Sequence, residues 1–286
     1  DFGFGSILEK MYFSVPRKLT YALTNSNEDI LIYGSSRANR HYNPAVFEKE
    51  LGLTCFNNGL DGRNIFYNYA LLASATERYT PKIVILDLLS ADYSETGSDW
   101  GTDRLNVLLP FYGQSEYVDE LINLRSDYEA VKLLSSIYPY NSAVVDIVKT
   151  WVLKKDLSFG YQGNLPAKRV SGMKNEMHFD FGESLNPDSL KIFYLQKFIR
   201  TCNDKGIALI IILSPWYCQD AQTATVLEGI AASNHVRFWN FTFNEEFSDS
   251  TMFYDESHLN EMGANKFSEI IARRILGEII QDDDIR

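Results

Sequence analysis

The chain has 286 residues, 45% of them hydrophobic and 14% aromatic, enough for one sizeable core with room for an insertion. A formal charge of -11 with scattered Lys and Arg argues against a protein that grips nucleic acid through its phosphates. No run of about 18 apolar residues is present, so no membrane span is expected; Cys55, Cys202 and Cys218 lack the spacing of a disulfide framework or a zinc site.

Taken in chain order, the opening Phe2-Gly3-Phe4-Gly5-Ser6-Ile7-Leu8 is apolar. It reads either as the stretch left behind a removed signal or anchor or as a packed N-terminal arm. Ile30–Tyr33, residues 83–88 and Ala208–Leu213 are short apolar runs rich in branched residues, the pattern of strands buried on both faces of a parallel sheet. Residues 54–57 and 236–241 are expected to add a short strand and a mixed one. Between them, Pro44–Leu51, 65–80, 187–203, Ala221–Ser233 and 262–280 read as helices. Strands alternating with helices predict an α/β protein, a three-layer α/β/α sandwich with a mainly parallel sheet. The alternation breaks between about residues 93 and 186, a stretch rich in aromatics (Trp100, Phe111-Tyr112, Tyr138-Pro139-Tyr140, Phe159-Gly160-Tyr161) with helical segments near 116–138 and 142–155. It is expected to be a large insertion after the third strand, a cap or rim at the carboxyl edge of the sheet, within a single domain spanning 1–286. The tail 281–286 is expected to fray.

Two segments far apart in the chain carry chemistry. Gly34-Ser35-Ser36 comes directly after the first buried strand, where Gly34 permits a sharp turn. Ser36 there would project above the carboxyl edge of the sheet, where open parallel sheets bind ligands, with its own backbone N–H available to an oxyanion. Ser35 fits a supporting hydroxyl. Asp255-Glu256-Ser257-His258 sits on a short loop before Asn260, a helix cap. On a tight loop the carboxylate can hold one ring nitrogen of His258 and leave the other to take a proton from Ser36. Nucleophile, base and orienter are then all present. Read blandly, the first segment is an ordinary turn, and the second is a capping Asp beside a half-buried His. His41 could line the pocket, His178 falls in the insertion, and His235 reads as loop. No metal-ligand pattern occurs, and no metal or cofactor is expected.

These two segments, on an alternating strand–helix chain, resemble the SGNH (GDSL-type) hydrolase superfamily. Gly34-Ser35-Ser36 is similar to its Gly-Asp-Ser block, with Ser35 in place of Asp, and Asp255–His258 resembles its Asp-x-x-His block. A third stretch, Phe56-Asn57-Asn58-Gly59-Leu60-Asp61-Gly62, resembles the family's Asn-x-Gly-x-x-Gly segment. The resemblance implies a flavodoxin-like sandwich, a triad of Ser36, His258 and Asp255, and a Gly62 N–H in the oxyanion hole beside that of Ser36. One block departs. Where the family carries an Asn that donates to the oxyanion, this chain has Ala91, so the third donor is missing, moved, or supplied by Ser90 or Asn58.

The function so implied is cleavage of an ester, a short acyl group such as O-acetyl on a carbohydrate, through an acyl-enzyme. Two alternatives stand beside it: transfer of the acyl group to a cell-envelope glycan, and a non-catalytic carbohydrate-binding domain with a degenerate site. The expected partner is a small-molecule or glycan ester. Arg37, Arg40 and Arg63 flank the site blocks and are candidates to touch it, or else plain solvated charges. The apolar opening and the habit of the family suggest an extracytoplasmic location.

Overall fold

The computed structural model describes residues 2–14, 18–95, 101–141, 186–216, 221–242 and 244–280. The expectations for Trp100, the helix at 142–155, Phe159, Tyr161, His178, Cys218 and the tail at 281–286 lie outside the described residues.

Five strands form one parallel sheet: β1 (Ile30–Tyr33), β2 (Cys55–Asn57), β3 (Ile83–Asp87), β4 (Ala208–Leu213) and β5 (Arg237–Asn240). Their order is β2-β1-β3-β4-β5, with every neighbouring pair parallel. This is the doubly wound, flavodoxin-like order, and its switch point lies between β1 and β3. The apolar runs cover both faces because helices flank both. Leu31, Tyr33, Val84, Leu86, Leu209 and Ile211 enter one core. Their alternate neighbours Ile30, Ile32, Ile83, Ile85, Ile210 and Ile212 enter the other. The molecule is thus a three-layer α/β/α sandwich.

The helices on the first face are α1 (Phe2–Ser14), α2 (Lys18–Thr24), α5 (Ile65–Thr76), α8 (Ser189–Asp204) and α9 (Ala221–Ser233). The apolar opening is therefore helical, with Leu8 and Tyr12 buried in the core. Helix α5 is buried along its whole length, against α2, α8 and α6 (Glu116–Asn123). On the other face lie α3 (Ser36–His41), α4 (Pro44–Leu51) and α10 (Glu261–Ile275). Asn260 caps α10 as expected, and Asn43, Asn64 and Asp188 likewise accept a backbone N–H at the starts of α4, α5 and α8. Helix α10 ends at Ile275 in a wider turn that runs to Ile280, short of a single helix through 280.

The stretch expected to be helical near 116–138 is helical only in short pieces. It consists of α6, the single turn α7 (Glu129–Lys132) and a 3-10 turn at Tyr138–Tyr140. Its apolar residues Val118, Leu121 and Tyr140, with Leu105, Leu108 and Phe111 just before it, join the first-face core. That part of the excursion packs on the side of the sandwich. The excursion leaves and rejoins the sheet at one point: Ser94 bridges Pro187, Glu95 N–H donates to Asn186 O at 2.8 Å, and Asp188 N–H donates to Tyr93 O at 2.9 Å. Cys55 and Cys202 are buried free thiols. Among the described residues no helix is long and apolar enough to cross a membrane.

Candidate active site

Parallel strands deliver their carboxyl ends to one edge, and the segments singled out in the sequence meet there. At the end of β1 the chain turns at Gly34, whose φ is +143°. A β-carbon there would lie 2.5 Å from Asp87 O, so only glycine allows β1 to turn this close to the end of β3. Ser35 caps α3, and Ser36 is the first residue of that helix. On the far side of the same edge, Asp255 Oδ1 accepts the backbone N–H groups of Ser257 (2.8 Å) and His258 (2.9 Å), closing the loop.

The result is a continuous chain of three side chains. His258 Nε2 lies 2.8 Å from Ser36 Oγ, and His258 Nδ1 lies 2.9 Å from each Asp255 oxygen. A carboxylate only accepts, so Nδ1 carries the proton and Nε2 faces the hydroxyl as an acceptor. Burial alone would raise the Asp255 carboxyl. The bonds from the His258 ring and the two backbone N–H groups outweigh it and hold the group below its ordinary 3.8. Such an arrangement can draw a proton from a hydroxyl and stabilise the cation that results.

The loop after β2 runs along the β1 turn. Asn58 N–H donates to Ile32 O at 2.7 Å and Leu60 N–H to Gly34 O at 3.3 Å. Gly59 packs so tightly on α3 that a β-carbon would stand 2.5 Å from Asn39 N. Asp61 then clamps the loop to α3: Arg40 binds both its oxygens, at 2.7 and 2.5 Å, and Asn39 Nδ2 donates to it at 2.8 Å. Lys18 donates to Asn39 Oδ1 at 3.0 Å and to Gly59 O. Burial lowers the Lys18 amine to about 7, with Asp61 opposing the shift. For Asp61, burial raises the carboxyl, but the bonds from Arg40 and Asn39 overcome it and lower it. The clamp fixes the backbone that presents Gly62.

The expected oxyanion donors differ in their state. Gly62 N–H makes no hydrogen bond among the described residues, and Arg104 Nη1 stands 3.1 Å from where a Gly62 β-carbon would be. Asn58 is buried and its Oδ1 has no partner among the described residues. The Ser36 N–H, expected to face an oxyanion, instead donates to Ser35 Oγ at 2.6 Å. Ser90 lies past the end of β3 on a 3-10 turn, which Asp92 closes by accepting Leu89 N–H at 2.8 Å. The backbone oxygen of Ser90 binds Ser94.

The three arginines separate. Arg37 is no substrate contact: it is buried, and its guanidinium donates to Leu88 O (2.6 Å), Asp87 Oδ1 (3.3 Å) and Ser214 O (3.4 Å). It staples the β1 turn to the ends of β3 and β4. Arg40 is committed to Asp61. Arg63 is half-buried and donates to Arg104 O and to Asn106 Oδ1 at 3.3 Å. His41 does not line the pocket either; it is completely buried under the site. His235 is in the turn before β5, with a φ of +55°.

Sequence reasoning missed Asp87, Ser214, Tyr42 and Asp61, which form the polar floor and the clamp. Tyr42 donates to Asp87 Oδ2 at 2.8 Å. Burial raises the Asp87 carboxyl, while Arg37, Ser214 and Tyr42 pull it down. The available signal was an Asp ending an otherwise apolar strand and a Ser directly after another. Among the described residues no group of three or more His, Cys, Asp or Glu is placed to hold a metal.

No protein-family model matches the chain, and no curated protein matches it. Among solved structures it is similar to the crystal structure of a "putative acylhydrolase" from Bacteroides fragilis NCTC 9343. That comparison has 10% identity and a TM-score of 0.44, over 91% of this chain and 95% of the other.

Proposed function

We propose that this protein is a serine-dependent carboxylic ester hydrolase of the SGNH (GDSL-type) kind. The observation that carries the reading is the 2.8 Å contact between His258 Nε2 and Ser36 Oγ, with Asp255 on the opposite ring nitrogen. In the reaction His258 Nε2 takes the hydroxyl proton as Ser36 Oγ bonds to the ester carbonyl carbon. The carbonyl oxygen becomes an oxyanion, met by Gly62 N–H and by the carboxamide N–H of Asn58. The Ser36 N–H joins them once Ser35 Oγ releases it. As the tetrahedral adduct collapses, His258 gives its proton to the departing alkoxide, and the acyl group stays on Ser36. Water then attacks the acyl-enzyme, losing a proton to His258, and the acid leaves as Ser36 recovers its proton.

The substrate class that accompanies the family resemblance is a short O-acyl ester of a carbohydrate. A fluorophosphonate probe tests the chemistry. A mass gain on Ser36 that disappears in His258→Ala is the expected result; no reaction at Ser36 in folded wild-type protein leaves a binding domain as the better account. With an activated acetyl ester and an added glycan, acid in the water is expected from a hydrolase and acylated glycan from a transferase.

A further inference from the structure

Beneath the triad lies an imidazole whose two nitrogens are both committed. His41 is the last residue of α3 and is fully buried. Its Nε2 accepts the backbone N–H of Leu259 at 3.0 Å. With Nε2 an acceptor, the ring proton is on Nδ1, which donates to Ser214 Oγ at 3.1 Å. Leu259 is the residue directly after His258. The rings of His41 and His258 lie edge to face, 6.4 Å apart.

The bonds run in one direction. Leu259 donates to His41 and His41 donates to Ser214. Ser214 in turn stabilises the Asp87 carboxylate, which also receives Arg37 and Tyr42. The loop bearing His258 is thereby tied to the ends of β3 and β4, the rigid part of the sheet. Asp255 closes the loop from within but does not fix it to the sheet. The His41 bond does so at the residue adjoining the base.

We infer that His41 is a positioning residue for His258: by accepting the Leu259 N–H it sets where His258 Nε2 sits over Ser36 Oγ. This rests on the hydrolase reading of the site. The ring must stay neutral to keep its acceptor. Burial, with Arg37, His258 and Arg40 adding positive charge around it, holds its proton affinity well below the ordinary level. His41 therefore keeps its bond while the neighbouring imidazole gains and loses a proton.

The test compares His41→Phe, which keeps ring volume and loses both bonds, with His41→Gln, whose carboxamide oxygen reaches toward the Nε2 position. Both are measured at matched folding, by the rate of Ser36 phosphonylation and by kcat and KM on an activated acetyl ester. Misplacing a base by about an ångström costs on the order of 10²-fold. The expected pattern is a ~10–10²-fold fall in kcat for His41→Phe with KM little changed, and recovery to within about threefold in His41→Gln. Hydrogen exchange at the Leu259 amide and the NMR signal of the His258 Nδ1 proton are read alongside. Both should loosen in His41→Phe and hold in His41→Gln. A folded His41→Phe with the wild-type rate overturns the inference. If wild-type Ser36 fails to react at all, the hydrolase reading falls, and the two NMR readouts decide His41 separately: unchanged signals in His41→Phe overturn its role. Should His41→Phe not fold, His41→Asn, too short to meet Leu259, replaces it; equal rates for Asn and Gln overturn the inference, and a slow Asn beside a fast Gln supports it.

Discussion

At the residue level, the catalytic reading depends on which atom carries which proton. Asp255→Asn keeps an oxygen for the two backbone N–H groups that close the loop, so the loop should persist. Its amide nitrogen, however, would face His258 Nδ1 and force the ring proton onto Nε2, which could no longer accept from Ser36. A loss of ~10³–10⁴ in kcat with little change in KM is expected from steady-state kinetics. Asn58 is the second decisive residue. It is buried on the loop that bonds to the end of β1, beside the turn that carries Ser36. If its carboxamide serves the oxyanion, Asn58→Ala should slow kcat by ~10²–10³ while the melting temperature stays close to wild type. Equal activity in the folded variant would leave Gly62 and Ser36 as the donors.

At the level of elements, the site is where three strand ends are held together from below. Arg37 reaches from the start of α3 to the ends of β3 and β4, and its partner Asp87 is buried with it. Arg37→Ala would leave the Asp87 carboxylate in the core with only Tyr42 and Ser214 to answer it. Breaking a buried pair in this way costs roughly 3–5 kcal/mol, so a large fall in the urea midpoint is expected. The sequence reads the strands well because both faces of the sheet are covered, which turns them into uninterrupted apolar runs. It reads α5 less well, since a helix enclosed on all sides has no polar face to reveal its orientation. It does not disclose Arg37. A basic residue one position after a serine looks like any solvated charge until the fold supplies a buried carboxylate from a strand 50 positions later.

For the whole molecule, stability should depend on pH through Asp92, whose buried carboxyl is raised by desolvation from 3.8 to about 7. Below about pH 4 both folded and unfolded chains hold this proton, and the residue is nearly neutral in its effect. Between about pH 4 and 7 the unfolded chain releases the proton and the folded chain retains it, so stability drops as pH rises, and above 7 the penalty is complete. Each tenfold change in proton affinity is worth about 1.4 kcal/mol. Asp92→Asn should therefore raise stability by a few kcal/mol near pH 8 and change little near pH 4, as urea melts at the two values would report. Of the overall design, the sheet, helices α4, α5, α8, α9 and α10, and the two segments bearing Ser36, Asp255 and His258 were legible in the sequence, because each rests on a local pattern. The clamp of Asp61 on α3 and the floor of Asp87, Ser214 and His41 were not, because they exist only between segments that the sequence keeps apart. The contact between Ser36 and His258 spans 222 positions. A ribosome releases Ser36 long before it makes His258. On the hydrolase reading, nascent or clipped copies that stop short of His258 would carry a dormant serine, and reactivity at Ser36 would certify that the polypeptide between the two is whole and assembled.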